Sequence, residues 1–135
     1  MELSKLVTAT PDTTVRAAAR LMAKRKVSAV MVVEGERLVG VFTERDAVVR
    51  VLARGRDADT SRLAEVMTSE VKTIEPEQSF GYALLLMHEN GFRHLPVVEG
   101  DRPVGVVSAR AALNPDLEEF TAEAERRKYY SRVRR

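Results

Sequence analysis

Apolar positions along the chain change period several times, and each change marks an element. Val15, Ala18, Ala19 and Met22 fall at i, i+3, i+4 and i+7, as do Phe80, Ala83, Leu84 and Met87. That spacing puts four apolar side chains on one helix face, so each run predicts a helix with its stripe turned inward. Asp12, Thr13 and Ser79 stand at the helix starts as candidate caps. Aliphatic runs from Ala29 to Val33, Leu38 to Phe42, His94 to Val98 and Val104 to Ser108 have the length of strands. Each pair flanks a polar turn, Glu34-Gly35-Glu36-Arg37 or Glu99-Gly100-Asp101-Arg102, which predicts two hairpins. Short extended entries, Leu6 to Thr8 and Val71 to Ile74, are stopped by Pro11 and Pro76. Ala47, Val48, Val49 and Leu52 open a further helical pattern after Thr43, and a shorter helix is expected after Ser108.

These elements recur at a constant spacing. Pro11 and Pro76, Met22 and Met87, and Gly40 and Gly105 are each 65 residues apart, and Val32-Val33-Glu34-Gly35 returns as Val97-Val98-Glu99-Gly100. The chain is therefore an ungapped duplication of a β-α-β-β-α unit, an α/β (α+β) fold. One such unit is too small to cover both faces of its sheet, so the two copies should pack pseudo-symmetrically and share a core. The expected organisation is copy one over 1–53, a polar linker over 54–65, copy two over 66–113 and a charged helix over 114–135. Leu63, Val66 and Met67 anchor the entry to copy two, and Asn114-Pro115 opens the tail with Leu117, Phe120 and Ala124 as its apolar stripe. Acids crowd the first half of that tail and Arg126, Arg127, Lys128, Arg132, Arg134 and Arg135 the second, as a helix dipole favours.

The stretch Gly40-Val41-Phe42-Thr43-Glu44-Arg45-Asp46 turns a strand into a helix. Two readings of it stay open. Gly40 allows something to approach, Thr43 offers a hydroxyl at a helix entrance where backbone N–H groups are free, and Asp46 can accept from a diol, which together make a ligand grip. Equally, Thr43 and Asp46 have the spacing of a capping box.

Composition narrows the chemistry. Lysine and arginine number 22 against 20 acids, and six charges at one end make no broad patch, so nucleic acid is not the expected partner. With no cysteine there is no disulfide or thiolate site, which fits a reducing cytoplasm. No apolar run reaches the roughly 18 residues of a membrane span. The two histidines, His88 and His94, lack metal-ligand spacing, and no Gly-rich phosphate loop is present, so neither a metal site nor an enzyme is expected.

The duplicated unit, the stretch Phe92-Arg93-His94-Leu95-Pro96-Val97-Val98 and the Gly-hydrophobic-hydrophobic-Thr/Ser-x-x-Asp turn resemble a pair of CBS (cystathionine-β-synthase) domains, the Bateman module, over about residues 1 to 113. The resemblance implies a regulatory module that binds an adenosine compound, AMP, ADP, ATP or S-adenosylmethionine, between the copies, with no obligatory cofactor. Carried over, one cleft would join Thr43, Arg45 and Asp46 to Ile74, Phe92, Arg93 and His94. A second, weaker cleft would join Ser108 to Thr10, Val27 and Ser28. It is weaker because Ala111 stands where copy one has Asp46, while Ala29 and Met31 replace the counterparts of His94 and Pro96. Family resemblance also implies a homodimer built partly from the helices after each turn. With no catalytic or transport domain on the chain, the regulated target should be a separate, unknown protein. The alternative is a scaffold or interaction module that kept the fold and lost the ligand.

Overall fold

The computed structural model describes residues 5–108. The expectations for Ala111, the helix after Ser108 and the charged helix over 114–135 lie outside the described residues. Copy one consists of β1 (Thr8–Ala9), α1 (Val15–Arg25), β2 (Ala29–Glu34), β3 (Arg37–Thr43), α2 (Glu44–Asp46) and a π-helical turn, π1 (Ala47–Leu52). The linker carries α3 (Leu63–Val66), and copy two supplies α4 (Phe80–Asn90), β4 (His94–Glu99) and β5 (Arg102–Ser108). β1 runs parallel to β2, which pairs antiparallel with β3. In copy two the first strand shrinks to a single parallel bridge, Ile74 with Val97, beside the β4-β5 hairpin.

The 65-residue spacing governs the backbone in detail. Both hairpins carry their bulge at one place, Val32/Val33 and Val97/Val98, and both turns have positive φ at glycine, Gly35 at 62° and Gly100 at 64°. With Glu34 paired to Arg37, only two residues form the loop, and a left-handed first position is what a type II′ turn needs. Helix ends correspond as well. Thr14 caps α1 by accepting from Ala17 N–H and Ser79 caps α4 by accepting from Tyr82 N–H, so the cap of α1 is Thr14 rather than Asp12 or Thr13. Thr13 instead closes a local turn with Thr10. At the C-caps both copies turn left-handed, through Lys26 in copy one and Gly91 in copy two.

Each copy packs its helix stripe on its own hairpin. Val15, Ala18 and Met22 join Val30, Val32 and Phe42; Phe80, Ala83, Leu84 and Met87 join Leu95, Val97 and Val107. Ala19 was expected inside and is exposed. Three buried residues suffice here because α3 delivers Leu63 and Val66 to the same core. The shared core is a third cluster, Ala29, Met31 and Val41 of copy one against Val106 of copy two. Leu38 N–H donates to Asp101 C=O across that junction at 2.8 Å. Its counterpart position is Pro103, which has no N–H to return the bond.

Gly40 is where the linker closes on copy one. A Cβ on it would lie 2.4 Å from Met67 Sδ, so the close approach that the glycine permits is made by the protein itself. Met67 is held there because Val41 and Thr68 exchange both backbone hydrogen bonds at 2.9 Å.

Candidate functional site

The turn after β3 is a completed capping box. Asp46 N–H donates to Thr43 Oγ1 at 3.1 Å, and Asp46 Oδ2 accepts from Thr43 N–H at 3.0 Å and from its hydroxyl at 3.1 Å. These bonds satisfy donors that the helix start would otherwise leave open. Among the described residues the other carboxylate oxygen, Oδ1, has only longer partners, the Thr68 hydroxyl and Arg50 Nε, both at 3.5 Å. Asp46 is 7% exposed. Arg50 in turn donates to Met67 C=O at 2.9 Å, tying π1 to the linker.

Val48, Val49 and Leu52 were expected to continue an ordinary helical pattern. The π-helical winding, marked by Ala53 N–H donating to Val48 C=O, instead leaves them 55%, 47% and 72% exposed. Val51 of this turn is buried in the core, and Ala47 packs against it.

Residues assigned to different clefts meet at one end of the copy junction. The Ser28 hydroxyl lies 2.6 Å from His94 Nε2. Within the sheets His94 pairs with Ser108 and Ala29 with Thr43, while Glu44 N–H donates to Ser28 C=O at 3.0 Å. Ser28 and Thr43 from copy one therefore converge with His94 and Ser108 from copy two. Val27 precedes this cluster, half-buried against the copy-one core. Arg45 and Arg93 are exposed, and Phe92 rests on the copy-two core. Ile74 is buried in that core, with its backbone bonded to Pro96 and Val98. Thr10 is engaged with Asp12 and Thr13 in its own turn.

Sequence reasoning put Ser28 and His94 in separate clefts because the repeat shows which residues correspond and not how the copies are rotated onto each other. Arg50 could have been found, since it stands four residues after Asp46 on the same helical face. Thr68 carried no local signal.

Burial lowers the His94 pKa below the ordinary histidine value, and the Arg93 charge acts in the same direction against Glu44, which raises it. A neutral imidazole is thus built into the junction. The unfolded chain takes up its proton near pH 6.5, before the folded one does, so the stabilisation is complete above that pH and is lost as pH falls below it. Urea midpoints at pH 7.5 and 5.5 should show the wild type losing stability on acidification, with His94→Gln losing less. Parallel losses in the two proteins would place the titrating group elsewhere.

Among the described residues no group of histidines and acids could hold a metal ion, and no helix is long and apolar enough to cross a membrane.

Comparison with known proteins gives this geometry its context. The family model described as "CBS domain" matches residues 2–53 and again residues 63–115. The chain is 37% identical over 105 residues to the CBS domain-containing protein YhcV of Bacillus subtilis, covering 78% of this chain and 74% of that protein. A signal-transduction protein with CBS domains from Burkholderia ambifaria, described as putative in its name, has a solved structure that matches with TM-score 0.75 and 35% identity, over 81% of this chain and 80% of that one. A CBS domain protein of Pyrobaculum aerophilum, solved in complex with AMP, shares the fold at TM-score 0.79 and 24% identity, over 89% of this chain and 93% of that one.

Proposed function

Because this chain belongs to the CBS-domain family and carries two of its domains, we propose that it is a regulatory module that binds an adenosine nucleotide at the junction of its copies and signals through their relative arrangement. The observation that carries this reading is the convergence of Ser28, Thr43, His94 and Ser108 from both copies at one end of the interface. A ligand inserted there would exchange the Ser28–His94 bond for bonds of its own, so ligand affinity and copy arrangement are linked. Asp46 Oδ1, with its two long partners, is the oxygen available to a ribose, and Arg93 and Arg45 are the cations open to a phosphate. The AMP found in the Pyrobaculum protein agrees with this chemistry, and its likeness to this chain extends to the fold.

A ligand stabilises the state that it prefers by RT ln(1 + [L]/Kd), about 2.7 kcal/mol at a hundred times Kd. The signal would reach a second copy through π1, whose exposed Val48, Val49 and Leu52 make a homodimer face.

One observation favours a ligand-free scaffold instead: the Asp46 carboxylate already completes its own helix cap. Calorimetric titration of the full chain with AMP, ADP, ATP and S-adenosylmethionine separates the two. We expect saturable binding of at least one nucleotide, weakened about tenfold or more in His94→Ala, a loss of ~1.4 kcal/mol. A folded wild type that binds none of the four leaves the scaffold.

A further inference from the structure

The linker covers a specific edge of copy one. Arg62 Nη1 donates to Asp12 C=O at 2.8 Å, Leu63 N–H to Thr13 C=O at 2.9 Å and Ala64 N–H to Pro11 C=O at 2.9 Å. Val15 N–H, at the start of α1, donates to Ser61 C=O, and Arg62 forms a bridge with Thr14. The carbonyls of residues 11–13 are thus satisfied by residues 62–64, and the first turn of α1 is held from outside.

The corresponding edge of copy two is Pro76, Glu77 and Gln78. Among the described residues no hydrogen bond reaches their carbonyls. Glu77 and Gln78 border a depression of about 530 Å³, lined also by Thr73, Glu75 and Gly100 among others. Glu75 and Glu77 make its rim acidic, where copy one has Thr10 and Asp12.

The repeat identifies an occupant. Sixty-five residues after Arg62 stands Arg127, followed by Lys128 and preceded by Arg126. The chain distance from the end of β3 to the linker contact, Thr43 to Arg62, is 19 residues, and Ser108 to Arg127 is also 19. The segment therefore has the reach, and it carries three cations, opposite in sign to the two acids of that rim. We propose that the C-terminal segment around Arg127 docks on the edge formed by residues 73–78 of its own chain, as residues 62–64 dock on residues 11–13. Apolar anchors do not carry over, since Leu63 and Val66 correspond to Lys128 and Ser131. The docking is consequently more electrostatic than the linker's and more sensitive to salt.

The absence of cysteine from the chain allows a direct test. In the full-length protein, Glu77→Cys with Arg127→Cys should form an intrachain disulfide under mild oxidation, several-fold faster than Asp12→Cys with Arg127→Cys, and adding salt should slow it. Equal rates in the two pairs, or crosslinks only between chains, would overturn the proposal. Amide exchange reads the same contact without cysteines. Reversing Arg126, Arg127 and Lys128 to Glu should speed exchange at residues 76–81 about tenfold while residues 11–16 stay as in the wild type, and adding Glu75→Lys and Glu77→Lys should restore protection. Unchanged exchange at 76–81 in the charge-reversed chain would equally overturn it.

Discussion

Asp46→Ala is expected to destabilise the protein by roughly 1–3 kcal/mol. The size follows from what the carboxylate holds. The cap bond itself survives the change, because the backbone N–H of residue 46 still donates to Thr43 Oγ1. Leaving the Thr43 N–H and hydroxyl, which are part-buried, without their shared acceptor costs about 1–3 kcal/mol. Those donors lie 3.0 and 3.1 Å from Oδ2. The contact with half-exposed Arg50 is long, at 3.5 Å, and adds little beyond these terms. Asp46→Asn keeps an acceptor oxygen in place and should lose less than half as much. Urea unfolding of the three proteins measures this directly. An alanine variant as stable as the wild type would show that the cap is not what the carboxylate is for; if that variant had also lost nucleotide binding, the ligand reading of the turn would stand alone.

Gly40→Ala is the second large effect, expected to cost about 1–3 kcal/mol by overpacking. Gly40 pairs with Val32 inside the β2-β3 hairpin, so its backbone cannot move without breaking the ladder. Met67 is fixed on the other side by the Val41–Thr68 bridge, which leaves only its flexible thioether to yield. Shortening that side chain should relieve the clash. In Gly40→Ala with Met67→Ala the combined loss should fall short of the sum of the two single losses by about 1 kcal/mol, the coupling expected of residues in contact. Additive losses would mean that the alanine is accommodated by backbone movement instead. The experiment bears on function as well, because Met67 and Thr68 link the Asp46 turn to the linker between the copies.

Most of the architecture was legible in the chain because it is carried by local pattern. The i, i+3, i+4, i+7 stripes of α1 and α4 and the glycine turns of the two hairpins depend on residues near one another in sequence, and the duplication states each of them twice. One exception was local and one was not. Thr14 took the cap from Asp12 and Thr13 because its side chain is the one placed to meet Ala17 N–H, and Ala19 fell outside because the linker supplied the missing core volume.

The sequence by itself determined a duplicated α+β unit and the two hairpins, set by periodicity and short-range hydrogen bonding, and offered the Thr43-to-Asp46 box as one of two readings of that turn. The tertiary structure alone decided which residues of the two copies meet. It set Ser28 against His94, brought Thr68 to Asp46 and Met67 to Gly40, and wound Ala47–Leu52 so that three apolar side chains face outward. The physical reason is that a repeat fixes the internal geometry of each copy but carries no information about their rotation or the path of the linker; these follow from side-chain packing between segments far apart in the chain.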